Sequence, residues 1–125
     1  MAVTQFGKVL RKIRIDHNEV LLNMAQRLEV TASFLSAVEN GKRNIPVSWP
    51  DLLPSLYDLS EQATEELKQA AIAQMTSIRL NVDNATPKSK EVLFALARRM
   101  EEEELDDETL EYLMKAILTK KEKSE

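Results

Sequence analysis

The stretch Met24-Ala25-Gln26-Arg27-Leu28-Glu29-Val30-Thr31-Ala32-Ser33-Phe34-Leu35-Ser36-Ala37-Val38-Glu39-Asn40-Gly41-Lys42-Arg43 decides the fold. Its apolar residues fall on two helical stripes separated by a short break. Leu21, Met24, Ala25 and Leu28 recur at i, i+3, i+4 and i+7, the spacing of one helix face. Phe34, Leu35 and Val38 give the next short helix its buried side. Thr31 is an N-cap for that second helix, and Asn40-Gly41 ends it, because glycine takes a left-handed backbone freely. Two helices packed steeply across a short turn need a small residue where their backbones cross. Ala25 fits that place, and Val30 fills the turn. The outer face of the second helix is then free to enter a DNA major groove.

Working outward, Phe6, Val9, Leu10 and Ile13 predict a first helix from about Thr4 to Asp16, with Lys8, Arg11, Lys12 and Arg14 largely on its other faces. His17 falls at its end. Lys42 to Val47 reads as a loop. Ser48 caps a fourth helix with Pro50 in its first turn, where a missing N–H costs little. Leu52, Leu53, Leu56, Tyr57 and Leu59 are its expected core contacts, with a kink at Pro54. Trp49 is expected in the core, a dimer contact being the alternative. Ser60 starts a fifth helix to about Met75, with Leu67, Ala71 and Met75 on one face.

The pattern then changes. Ile78, Leu80 and Val82 alternate with Arg79, Asn81 and Asp83, a period of two. Two readings stand: a short strand, which would need a partner such as the same strand of a second subunit, or an extended linker. Thr86-Pro87 opens a helix carrying Val92, Leu93, Leu96, Ala97 and Met100. Asp106 caps another, with Leu110, Leu113, Met114 and Ile117 as its stripe. The charged end, 120–125, is expected to be a disordered tail.

Composition narrows the function. With Gly 2 and Pro 4 there is little of the turn chemistry that dense hairpins need, and Cys 0 excludes disulfides and thiolate metal sites. His17 is the only histidine, so neither a metal cluster nor a Cys–His nucleophile can be assembled. The acidic run Glu101 to Glu104, with Asp106, Asp107 and Glu108, matches no loop that converges carboxylates on a cation, and reads as a solvated helix face. There is no glycine-rich phosphate loop. No enzyme, metal or cofactor is expected. Absence of a signal-peptide pattern or membrane span leads to a cytoplasmic expectation, with no membrane partner. The net charge of −4 is unevenly spread. The first 45 residues carry +3 and the remaining 80 carry −7, which suggests separate jobs for the two halves. DNA binding needs a basic face, not a basic protein.

Residues 5 to 60 also resemble the Xre-type, or Cro/repressor-type, helix-turn-helix regulators. The resemblance rests on Leu10-Arg11-Lys12-Ile13-Arg14, on Met24-Ala25 through Val30, and above all on Leu35-Ser36-Ala37-Val38-Glu39-Asn40-Gly41-Lys42-Arg43. It implies an all-α fold: a five-helix repressor-like bundle, followed by the strand or linker and a C-terminal helical pair. The expected organisation is a DNA-binding domain over 1–76, a connector or dimerisation strand over 77–87, and an oligomerisation or partner-binding element over 88–119. The resemblance places Thr31, Ala32, Ser33, Ser36 and Ala37 on the DNA-facing side of the recognition helix. Lys42, Arg43 and Asn44 follow it, within reach of phosphate or a base edge, and Arg11 and Arg14 are further phosphate candidates. Glu39 is read as structural, capping or pairing with an arginine. Two departures stand out. Glu29 occupies the turn position where the family has glycine, and a positive φ there costs about 1 kcal/mol. Leu22 stands near a position where the family often has a polar phosphate contact, which leaves that role to Asn23 or the helix backbone.

The implied function is a transcriptional regulator, a dimeric repressor reading a palindromic double-stranded operator. The alternative is the antitoxin of a toxin–antitoxin pair, whose acidic C-terminal half masks a basic toxin. A third reading is an interaction module whose helix-turn-helix no longer binds DNA.

Overall fold

The computed structural model describes residues 3–123, with side chains described over 3–119. Among the described residues there are seven α-helices and no strand: α1 (Gln5–Asp16), α2 (Leu21–Arg27), α3 (Ala32–Glu39), α4 (Trp49–Tyr57), α5 (Glu61–Gln74), α6 (Pro87–Glu102) and α7 (Asp107–Lys123). The chain divides into two compact units, Met1–Leu80 and Asn81–Glu125, and the division falls inside the segment expected as a connector.

In the first unit α1 packs on α3 and α5, α2 on α3, and α4 on α5. Phe6, Leu10, Met24, Leu35, Leu53 and Leu67 are fully buried at the centre. Each such side chain contributes about 1.5–3 kcal/mol through removal from water. Trp49 is in this core and meets the Phe34 ring edge-on at 6.1 Å between centroids. Side-chain caps fix the helix starts. Thr4 Oγ1 accepts from Gly7 N at 3.0 Å, and Ser60 Oγ accepts from Ala63 N at 3.1 Å. Ser48 occupies the N-cap of α4 as expected, but makes no side-chain cap bond. The helix continues through Pro54. Leu53 and Tyr57 are buried, whereas Leu52, expected in the core, is exposed. Leu52 follows the first turn, on the solvent side of a helix that buries the 49–53–57 stripe.

Two polar clusters tie the bundle together. The Tyr57 hydroxyl donates to Glu19 Oε1 at 2.7 Å, Arg27 Nε donates to Glu19 Oε2 at 2.7 Å, and the Arg27 guanidinium lies 4.6 Å from the Tyr57 ring centroid. Burial alone would raise the Glu19 pKa. The hydrogen bonds from Tyr57 and Arg27 outweigh it and hold the carboxyl below its ordinary 4.5. Burial, and then the hydrogen bond to Glu19, push the Tyr57 hydroxyl pKa up. His17 caps the end of α1, its Nδ1 2.9 Å from Ile13 O, and packs edge-on against Tyr57. The second cluster joins α1 to α3 and to the end of α5. Thr4 N and Oγ1 both donate to Glu39 O, and Phe6 N donates to Gln74 Oε1 at 2.7 Å. Here α1 and the end of α3 approach so closely that a Cβ on Gly7 would lie 2.5 Å from Glu39 O.

Residues Ile78 to Val82 form no strand, and Ile78 and Leu80 are exposed. In the second unit Thr86 caps α6 by accepting from Ser89 N at 3.1 Å, and Asp106 caps α7 by accepting from Thr109 N at 2.8 Å. Hydrogen bonds from the side chain and the backbone amide of Thr109 hold the Asp106 carboxyl below its ordinary pKa. The apolar stripes expected on these helices are present but uncovered. No residue of α6 is buried. Leu93, Leu96 and Leu113 are half-buried, while Val92, Ala97, Met100, Leu110, Met114 and Ile117 are exposed. The side chains of the expected tail, 120–125, lie outside the described residues. No helix among the described residues is long and apolar enough to cross a membrane.

Candidate nucleic-acid interface

The pair α2–α3 is built by two copies of one chain-reversal motif. Helix α2 ends with Glu29 in the left-handed region at φ 59°, Glu29 N bonded to Gln26 O at 3.1 Å and Val30 N to Ala25 O at 3.0 Å. Helix α3 ends in the same way, with Gly41 at φ 77°, Gly41 N bonded to Val38 O at 3.1 Å and Lys42 N to Ala37 O at 2.9 Å. The positive φ expected at Glu29 is therefore present, at a residue that takes it less readily than glycine. Between the two motifs Thr31 Oγ1 accepts from Phe34 N at 3.0 Å and starts α3. Ala25 is fully buried, as are Met24, Leu35 and Val38 around it. A larger side chain at 25 would force the two helices apart.

What remains outside on α3 is small. Thr31 and Ser33 are exposed, and Ala32, Ser36 and Ala37 are half-buried. Ala32, Ser33, Ser36 and Ala37, with Leu21, Asn40 and Lys42, line a shallow depression of about 400 Å³. Asn40 closes one side, its Nδ2 donating to Ser36 O at 2.9 Å. Sequence reasoning did not single out Leu21 or Asn40 as part of this surface. Leu21 reads as core by spacing, and Asn40 reads as a terminator. Asn23 is exposed and caps α2, its Oδ1 accepting from Val20 N at 2.8 Å. That bond occupies the oxygen and leaves the amide group facing solvent.

The basic candidates separate into two groups. Lys42 and Arg43 are exposed on the loop after α3, and the Arg43 guanidinium lies 5.4 Å from the Phe34 ring centroid. Arg11 is exposed on α1, its Nε 3.6 Å from Glu39 Oε1. Arg14 is not available to a phosphate. It is buried, donating through both terminal nitrogens to the buried Glu39 carboxylate, with Nη2 3.2 Å from Oε1. Its Nη1 also lies 3.3 Å from Met24 Sδ. An arginine this far inside the core neutralises Glu39 and cannot swing out without leaving that buried charge only its looser contact with Arg11. Asn44, half-buried, is engaged by the chain itself. Its Nδ2 donates to Ser77 O and to Ser77 Oγ, and its Oδ1 accepts from Thr76 N at 3.1 Å. Those bonds tie the segment after α5 to the loop after α3, and they remove Asn44 from the set of candidate ligand contacts.

The surface that survives is a face of two hydroxyls and two methyl groups, Ser33, Ser36, Ala32 and Ala37, flanked by Lys42 and Arg43. No family model matches this chain, and no curated protein or solved structure matches it.

Proposed function

We propose that this protein is a sequence-specific DNA-binding transcriptional regulator, a dimeric repressor that places α3 in the major groove of a palindromic operator. The observation that carries this reading is the contrast between the two sides of α3. Its inner side buries Leu35, Val38 and the neutralised Glu39, whereas its outer side offers only small groups beside two exposed cations. A helix with small outer side chains seats its backbone deep in a groove. Methyl groups of Ala32 and Ala37 meet thymine methyls, and Ser33 and Ser36 make single hydrogen bonds to base edges. Lys42 and Arg43 contact phosphate and set the register, with Arg11 as a further phosphate contact. Glu39 does not repel the polyanion, because Arg14 holds its charge within the core. The resemblance of residues 5 to 60 to the Xre-type regulators supports the same assignment. Two subunits related by two-fold symmetry read half-sites about one helical turn apart.

The test is titration of the purified protein against DNA from upstream of its own gene, beside scrambled DNA of equal length, at one physiological salt concentration. Specific binding exceeding non-specific binding by about 10³ or more is the expected result. Equal affinity for both DNAs, there and in a selection from random sequence, would overturn the proposal.

A further inference from the structure

Helices α6 and α7 meet at the 103–106 turn and face each other across a groove of about 570 Å³, lined by Leu96 and Met100 from one side and by Leu110, Leu113, Met114 and Ile117 from the other. The apolar lining is largely open to solvent: Met100 is 57% exposed, Met114 58% and Ile117 63%. A patch of this extent on two helices with scarcely any buried residue marks a surface that another molecule covers.

The charges on the same two helices say which molecule. From Glu101 to Glu111 the sequence carries eight carboxylates and no base. Arg98 and Arg99, one turn before, are already paired with Glu102 and Glu103 at 2.9 and 3.1 Å, and Asp106 is engaged as the cap of α7. That leaves Glu101, Glu104, Asp107, Glu108 and Glu111 unmatched at the turn. The far ends are net basic: Lys88 and Lys90 open α6 beside a single Glu91, 4.0 Å from Lys88 Nζ, and residues 115–123 carry four lysines against one glutamate. About twelve helical residues separate Lys90 from the acidic turn, roughly 20 Å at 1.5 Å per residue. This exceeds the screening length of about 8 Å at physiological salt, so the lysines that open α6 do not neutralise the acidic turn of their own copy.

We infer that the groove between α6 and α7 is closed by the same two helices of a second copy, in antiparallel orientation about a two-fold axis. The acidic turn of each copy then lies against the basic ends of the other, and four helices enclose the apolar faces. A parallel two-fold arrangement would stack eight carboxylates on eight. A basic protein partner would match the turn but meet Lys88, Lys90 and Lys115 at the other end. Only the antiparallel copy satisfies both ends at once. This deepens the dimer named in the proposed function, and it stands or falls without DNA.

The experiment is sedimentation equilibrium of the full chain at low salt, on wild type and two triple variants. One carries Glu101→Lys, Glu104→Lys and Glu111→Lys; the other carries Lys88→Glu, Lys90→Glu and Lys115→Glu. All six positions are exposed, and helicity measured by circular dichroism reports on their folding. Wild type is expected to dimerise, each variant alone to self-associate about tenfold or more weakly, and their equimolar mixture to recover a one-to-one dimer. Because the chain has no cysteine, a second readout needs no background removal. Mixing the Lys90→Cys and Glu101→Cys proteins should give 90–101 cross-links between copies in excess of 101–101. A monomeric wild type, a mixture that stays apart, or a dominant 101–101 cross-link would each overturn the arrangement.

Discussion

Arg14 of α1 and Glu39 of α3 form a two-pronged ion pair inside the core, with side chains only 9% and 2% exposed. The pair sets the position of the α3 C-terminus against α1. Removing Glu39 leaves Arg14 as a buried charge without a counterion, and removing Arg14 leaves the buried Glu39 only the looser, exposed Arg11 at 3.6 Å. Glu39→Leu or Arg14→Met alone should therefore lower the unfolding free energy by about 3–5 kcal/mol, measured by urea denaturation. The double variant should recover much of that loss, since a well-packed apolar pair of similar volume avoids desolvation. Additive losses in the double variant would show that the two side chains act separately.

Gly7 should resist the commonest helix-stabilising substitution. Alanine at 7 gains helix propensity of about 1 kcal/mol over glycine. Its Cβ, however, would stand 2.5 Å from Glu39 O and 2.7 Å from Val3 Cγ1, and the first of these is backbone. The overpacking cost of about 1–3 kcal/mol should win, so Gly7→Ala is expected to be less stable than wild type. A raised melting temperature would contradict the close approach of α1 and α3.

Lys42 and Arg43 are the exposed cations nearest the outer face of α3 along the chain. Changing both to Ala should weaken binding to all DNA sequences alike and reduce the slope of log K against log salt by about two. Lys12→Ala, on α1, serves as the surface control and should leave the slope unchanged. An unaltered slope in the double variant would remove the loop from the interface.

The Glu19–Tyr57–Arg27 cluster predicts acid sensitivity. The Glu19 pKa is lower folded than unfolded, so the native state binds its proton less readily. Its stabilisation is fully present above the unfolded value of 4.5 and is lost as pH falls through the lower, folded value. Glu19→Gln should be less stable than wild type at neutral pH and should converge with it below pH 4.5. Parallel stability profiles in acid would show that another carboxylate dominates.

The helices of both units, and the core of the first, were largely legible because their signals are local. Thr31, Gly41, Ser60, Thr86-Pro87 and Asp106 mark helix ends through bonds spanning only a few residues, and the spacing of Met24, Ala25, Leu28, Leu35 and Val38 marks the buried faces. Arg14 was misplaced among the phosphate candidates because four basic residues on α1 read as one polar surface. The corrective signal was present. Arg14 shares the helical face of Phe6, Leu10 and Ile13, and Glu39 that of Leu35 and Val38, so each is a charge on an apolar stripe and the two signs are opposite. Asn44 had no such signal, since Thr76 and Ser77 lie more than thirty residues along the chain. On α6 and α7 periodicity identified which side chains form an apolar face. It carried no information on what covers that face, so positions read as interior, such as Met100 and Ile117, are exposed within one chain.

The loop that carries Lys42 and Arg43 is anchored at both ends. The amides of Lys42 and Arg43 both donate to Ala37 O, at 2.9 and 3.3 Å, and Asn44 is fastened to Thr76 and Ser77. The backbone freedom of these residues is surrendered when the chain folds, not when a polyanion arrives. If the loop contacts DNA as proposed, association would have mainly two side chains left to order, sparing about 1–2 kcal/mol for each backbone residue that a free loop would have to immobilise.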